Sequence, residues 1–250
     1  MITKFSFIET IRAKNIIFGY LFLTITLYAV ELSFWNTMTK SNDFVNYTHD
    51  KIIIYILWSV IIFQLTSING FPENLSFHIE DGSIDRLIIM PKSILIYYSA
   101  YGLGQMLARL FIMSPLILFI VIYQKEIPNF IYLFFSLCIG FFVNLYLTMT
   151  LSCMAFKFRG SYSFIIIKDT LSWVFSGALI PLDVFGDTLK SAFNYIPFQY
   201  ITYVPVKIAT NSISIVFIFN GFLVMMSLML IFNLIWNYML KYNQGYNGNA

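Results

Sequence analysis

Six stretches of the chain are apolar almost without interruption, near Ile16–Trp35, Ile52–Phe71, Leu103–Tyr123, Phe130–Met154, Tyr162–Leu182 and Ile213–Met239. Each approaches the roughly 20 residues that a helix needs to cross about 30 Å of hydrocarbon. Strands of a membrane barrel would alternate apolar and polar residues, and no such alternation is visible. The pattern predicts an all-α integral membrane protein with six transmembrane helices, forming one domain over residues 1–250. Composition agrees: apolar residues make up 59% of the chain and charged residues 11%, against roughly 25% charged in soluble domains. A water-soluble fold is excluded.

The polar segments between the spans set the expected topology. Before the first span, Ile2, Phe5, Ile8 and Ile11 recur every three residues among Lys4, Glu9, Arg12 and Lys14. This suits a helix over residues 1–15 lying in the membrane interface, or a short basic topology signal. The apolar run that follows is too long for a signal peptide and no small-x-small site closes it, so an uncleaved span is expected. Six spans put both termini on one side. That side carries eight basic residues (Lys4, Arg12, Lys14, Arg86, Lys92, Lys157, Arg159, Lys241) against five on the other (Lys40, Lys51, Lys125, Lys190, Lys207). The positive-inside rule then places the N- and C-termini in the cytoplasm of a multi-pass cell-membrane protein. The polar stretch 243–250 is expected to be a mobile tail.

Four charged residues fall within the apolar runs: Glu31, Arg109, Lys168 and Asp169. An ionisable group at such a place is a candidate for a substrate or ion path. Arg109 and Lys168 lie six or seven residues from the predicted span ends, about 9–11 Å along a helix and within snorkelling reach of the headgroups. Sequence neighbours do not share a helix face, so no internal salt bridge is expected between Lys168 and Asp169. Glu31, beside Trp35, is expected at the interface.

The longest inward loop, 72–93, holds Glu73, Glu80, Asp81 and Asp85 against Arg86 and Lys92. An acidic loop is ill suited to rest on an anionic cytoplasmic leaflet. Gly82 punctuates it, Ile84 to Ile89 form a short helical turn, and Pro91 stops it. This stretch resembles the ABC-2 type export permeases, whose small six-span members carry an acidic residue followed by Gly-x-x-(Asp or Glu)-x-Leu-Leu-x-x-Pro. Gly82, Asp85, Leu87, Ile88 and Pro91 occupy that pattern. The resemblance implies a coupling helix that docks into a groove of a separate ATPase. Leu87, Ile88 and Ile89 would bury against the ATPase, and Glu80, Asp81 and Asp85 would meet basic groups. It also implies that the N-terminal helix lies along the membrane and touches the ATPase.

The outward segment 183–212 is rich in apolar residues, among them Val184, Phe185, Phe193, Phe198, Tyr203 and Val204. Irregular backbone near lipid must be covered by protein or line a wet cavity, which predicts a helical hairpin dipping back into the outer leaflet. The family pattern is Ser-Gly-x-x-Ile-Pro-Leu-x-x-Phe, then Leu-Pro-Phe-x-x-x-x-Tyr-x-Pro. Ser176, Gly177, Ile180, Pro181, Leu182 and Phe185 fit it, as do Pro197, Phe198, Tyr203 and Pro205. Gly186 stands where Pro is frequent and Ile196 where Leu is usual, which implies a looser turn after Phe185.

No Gly-x-x-x-x-Gly-Lys-(Ser or Thr) loop occurs, and neither His49 nor His78 has metal-ligand spacing. Cys138 and Cys153 lie about 22 Å apart along one predicted helix, too far to bridge. No catalytic, cofactor-binding or metal site is therefore expected in this chain. ATP and Mg would be bound by a partner ATPase, and a second permease chain, identical or related, would complete the assembly within the bilayer, without nucleic acid. The expected function is ATP-driven export of an amphipathic peptide or a lipophilic antimicrobial or drug. Met106, Met113, Met149, Met154, Met225 and Met226 would either pack or lend the path plasticity. An ion-coupled secondary carrier and a non-transporting immunity or sensor subunit are the alternatives.

Overall fold

The computed structural model describes residues 1–40, 49–68, 74–89, 93–124, 127–185, 193, 195–212 and 214–247. Among these every regular element is a helix. In chain order they are α1 (Ile2–Arg12), α2 (Lys14–Lys40), α3 (His49–Thr66), α4 (Asn74–Glu80), α5 (Ile84–Ile88), α6 (Ile94–Gln124), α7 (Phe130–Ser152), α8 (Tyr162–Phe175), α9 (Tyr203–Ala209) and α10 (Val216–Asn247). Three short 3-10 turns at Cys153–Phe156, Leu182–Val184 and Pro197–Tyr200 join them.

Among the described residues, four helical stretches are long and apolar enough to cross a membrane: Ile17–Thr37, Ile94–Gln124, Phe130–Phe156 and Val216–Lys241. The third is the hub. Over half of its apolar window is buried inside the protein, against 11% for the first and 17% for the last. The α7 helix packs on α3, α6, α8, α9 and α10, while α2 and α10 lie at the rim. All-apolar helices have no amphipathic stripe to orient them, so the seams are set by small residues. A Cβ on Gly140 of α7 would stand 2.5 Å from the Tyr200 carbonyl oxygen, and one on Gly221 of α10 would stand 2.8 Å from the Tyr200 ring. Close backbone approach of this kind replaces the hydrophobic drive that is missing between helices in lipid.

The helix boundaries depart from the apolar runs in informative ways. The third run begins at Leu103, but its helix starts at Ile94. Pro115 interrupts this helix without ending it. Proline removes the N–H that would bond the Phe111 carbonyl, and the Ser114 hydroxyl donates to that carbonyl instead, at 2.8 Å. The second run was expected to reach Phe71, yet α3 ends at Thr66 after 18 residues; residues 69–73 lie outside those described. The fifth was expected to reach Leu182, but α8 ends at Phe175 after 14 residues, because Gly177 takes a φ of +78°. The 243–250 stretch is not a free tail throughout: α10 continues to Asn247.

The N-terminal helix forms as the sequence suggests, and Phe7 packs on Phe111 of α6 at 6.5 Å between centroids, but its most deeply buried residues are polar. Ser6 and Thr10 are its buried residues, whereas Phe5 is 65% exposed. The Ser6 hydroxyl donates to the Tyr101 carbonyl at 2.8 Å, and the Tyr101 hydroxyl donates to Glu9 Oε2 at 2.8 Å. The crossing is tight because α6 offers Gly104, whose added Cβ would lie 2.9 Å from the Ser6 Cβ.

Candidate functional site

The carboxyl end of α3 terminates inside the protein, where the last carbonyls of a helix have no partner of their own. Side chains from neighbouring helices supply the donors. Arg109 of α6 donates from Nη1 to the carbonyls of Gln64 (2.8 Å) and Ser67 (2.6 Å) and to the Ser67 hydroxyl (2.7 Å). Asn144 of α7 donates to the Thr66 carbonyl at 3.0 Å. The Asn144 Oδ1 in turn accepts from Lys168 Nζ of α8 at 2.8 Å, and Lys168 also donates to Thr148 Oγ1 at 2.9 Å. Cations belong at this end of a helix, where the macrodipole is negative.

These contacts revise three expectations about the embedded charges. Arg109 does not snorkel: it is 1% exposed and sits fifteen residues from either end of the Ile94–Gln124 span. Lys168 is likewise buried, and it does form an ion pair with Asp169, Nζ to Oδ1 at 2.6 Å. The lysine stem is long enough to fold back over its neighbour, which Cα spacing alone conceals. Glu31 is 7% exposed, with Oε2 lacking a hydrogen-bond partner among the described residues.

At one end of the bundle the irregular segment after α8 is fastened from several sides. The Tyr55 hydroxyl donates to the Gly177 carbonyl at 2.6 Å, the Trp35 Nε1–H to the Leu179 carbonyl at 3.3 Å, and the Tyr203 N–H to the Ser176 carbonyl at 2.8 Å. The Tyr203 hydroxyl donates to Asp183 Oδ1 at 2.7 Å, and Lys207 pairs with the other oxygen of Asp183. Phe185 packs edge-on to Phe193, centroids 5.2 Å apart. Pro181 begins the 3-10 turn that carries Asp183, Pro197 and Phe198 begin the next, and Pro205 lies buried in the first turns of α9. The expected hairpin residues are thus brought together. Sequence reasoning missed their anchors Tyr55, Asp183, Lys207 and Gly140, none of which is a specified position of a motif.

The opposite end carries α4 and α5 around Gly82, whose φ is +77°. Asp81 Oδ1 accepts from the Ser83 N–H (2.8 Å) and hydroxyl (2.6 Å), and His78 Nδ1 meets that hydroxyl at 2.7 Å. Glu80 Oε1 accepts from the Ser161 N–H and hydroxyl, both at 2.9 Å. The Ser161 hydrogen bonds, assisted by the Arg159 charge, hold the Glu80 carboxyl below the usual carboxylate range, and Ser83 does the same for Asp81. These two acids therefore bind their own chain, where the sequence suggested a partner. Leu87 and Ile84 are likewise turned into the protein's own core, each 8% exposed. Among the described residues the knob presents outward Phe77 (48% exposed), Ile88 (39%) and Ile89 (82%), beside the exposed acids Glu80, Asp81 and Asp85. Pro91 lies outside the described residues.

Because both carboxyls are depressed in the folded chain, their stabilisation is present above the ordinary carboxylate pKa of about 4 and lost as pH falls through the lowered values. The paired change Glu80→Gln and Asp81→Asn should reproduce the low-pH state at neutral pH. Hydrogen–deuterium exchange over residues 74–89 is expected to rise about tenfold, while α7 stays protected.

Residues 23–245 match the family model described as ABC-2 family transporter protein. The chain belongs to the ABC-2 transporter family. Comparison with curated proteins and with solved structures finds no match. As an ABC-2 family member with four apolar helices of spanning length, it is a membrane protein. Membership suggests a permease subunit, and such permeases in general work with an ABC ATPase. Among the described residues of this ABC-2 protein, no three His, Cys, Asp or Glu side chains are grouped to hold a metal.

Proposed function

We propose that this chain is the transmembrane subunit of an ATP-driven exporter, moving an amphipathic peptide or lipophilic antimicrobial or drug out of the cell. Six membrane crossings, with α3 and α8 joining the four long spans, would leave both termini and the α4–α5 knob in the cytoplasm. The segment from Gly177 to Ala209 would then form the extracytoplasmic gate. Two permease chains would share two ATPase subunits, which bind ATP and Mg; the permease itself performs no hydrolysis.

The observation that carries this reading is the knob. It exposes Phe77, Ile88 and Ile89 beside the acids Glu80, Asp81 and Asp85, and its base is bound to the start of α8 through Glu80 and Ser161. An apolar tip in water is costly, and burying one isoleucine against a partner is worth about 1.5–3 kcal/mol. A motor that grips Ile88 and Ile89 would therefore move α8.

The test is recovery of a nucleotide-hydrolysing partner with the tagged chain from its native membrane. Ile89→Asp should lower that recovery at least about tenfold, and a flexible linker in place of residues 82–91 should abolish it, with membrane insertion intact in both. An inserted wild-type chain that yields no ATPase would overturn the reading. Transport that survives ATP depletion but collapses with an ion gradient would point to a secondary carrier.

A further inference from the structure

One carboxylate is turned outward near the middle of the α7 span. Asp169 is 42% exposed, while its neighbour Lys168 is 4% exposed. Lys168 Nζ lies 2.8 Å from Asn144 Oδ1, and Asn144 is fourteen residues from Phe130 and twelve from Phe156, the ends of the α7 span. At the helical rise that is about 18–21 Å from either end. The Asp169 carboxylate, 2.6 Å from the same ammonium, shares that depth. Acids at such a depth face a bundle interior or a water-filled cavity rather than lipid, so the outer side of Asp169 is turned toward something polar.

The two members of the ion pair are not equivalent. Lys168 keeps hydrogen bonds to Asn144 and Thr148 if the carboxylate leaves, and Asn144 links it to the negative carboxyl end of α3. Asp169 has Lys168 as its sole ionic or hydrogen-bonding side-chain partner among the described residues. One helical turn to either side stand Ile166, 51% exposed, and Trp173, packed on Phe63 at 4.4 Å between centroids. The surroundings of the acid are thus apolar, and its present partner is replaceable.

We propose that Asp169 is the docking point for a cationic group of the transported molecule, which takes the carboxylate over from Lys168 while Ile166 and Trp173 receive its apolar part. The proposal rests on the permease reading and narrows its cargo to amphipaths bearing a positive charge. The exchange makes and breaks only ionic contacts; no proton or covalent bond moves.

Two measurements test it on the full chain. In nanodiscs, fluorescence anisotropy of rhodamine 6G, a lipophilic cation, should report binding that Asp169→Asn weakens about tenfold, with fluorescein, its anionic counterpart, bound weakly by both. Equal affinity of wild type and variant for rhodamine 6G would overturn the proposal. In native membranes, with Cys138 and Cys153 replaced by alanine and Asp169 intact, Ile166→Cys, one turn from Asp169 on the same face, should react with a charged, water-soluble thiosulfonate. The lipid-facing control Leu230→Cys, 56% exposed in the native side chain, should not. Labelling of Ile166→Cys no faster than the control would place this face in lipid and overturn the proposal even if the asparagine variant failed to fold. ATPase recovery from the same membranes separates the two claims. With the ATPase present and rhodamine binding unaltered, the docking point fails and the permease reading stands. With the ATPase absent, both fail.

Discussion

Gly177→Val is expected to leave almost no folded chain extractable in detergent. Gly177 adopts a φ of +78°, and a side chain there costs roughly 1–2 kcal/mol from backbone sterics alone, more when β-branched. The space is also occupied: an added Cβ would lie 2.9 Å from the Tyr203 Cβ and 3.0 Å from the Tyr55 hydroxyl. Relieving the clash means withdrawing the two groups that donate to the Ser176 and Gly177 carbonyls, each hydrogen bond worth about 1 kcal/mol. The combined loss is on the order of 4–5 kcal/mol, a large part of the stability of an ordinary domain. Size-exclusion profiles and thermal melting in mild detergent would register it. A melting temperature within a few degrees of wild type would mean that the turn can be rebuilt without these contacts.

The second large effect concerns Arg109. Arg109→Met retains the apolar stem and removes the guanidinium, which takes the donor from the Ser67 carbonyl and leaves the Gln64 carbonyl with the Ser67 hydroxyl. At about 1.5–3 kcal/mol for each hydrogen bond to a charged group, the loss is on the order of 3–5 kcal/mol. Arg109→Lys should recover part of this, since one ammonium can reach fewer of these acceptors than the guanidinium fork. Unfolding of the three proteins in detergent should rank wild type, lysine, methionine. A methionine variant as stable as wild type would show that water or a rearranged α3 end satisfies those carbonyls instead.

The two sites explain why the sequence disclosed some features and hid others. The helices Ile17–Thr37, Ile94–Gln124, Phe130–Phe156 and Val216–Lys241 were legible because hydropathy over about 20 residues is a local property. Where α3 stops was not legible, because Arg109 and Asn144, 42 or more positions further on, receive its terminal carbonyls. The Gly-Ile-Pro and Pro-Phe motifs marked the irregular segment after α8, yet its anchors at Tyr55 of α3 and Gly140 of α7 are ordinary helix residues that matter through proximity alone. Acidic composition marked the 72–93 loop but could not show that Glu80 bonds Ser161, 81 residues away. The period-three pattern of α1 foretold a helix and then misled about its packing face, since a polar seam of Ser6 against Gly104 closes more tightly than Phe5 could.

The α8 helix is held at both extremities. Glu80 grips Ser161 just before its first residue, and Tyr55 grips Gly177 two residues beyond its last. Between these grips run 14 helical residues, about 21 Å of a rod that stretches little. On the proposed permease reading, a tug on the knob would arrive at the Gly177 end as displacement of the same sign and nearly the same size, with little lost to bending. Stroke length would then be set by the ATPase, with α8 a pushrod rather than a spring.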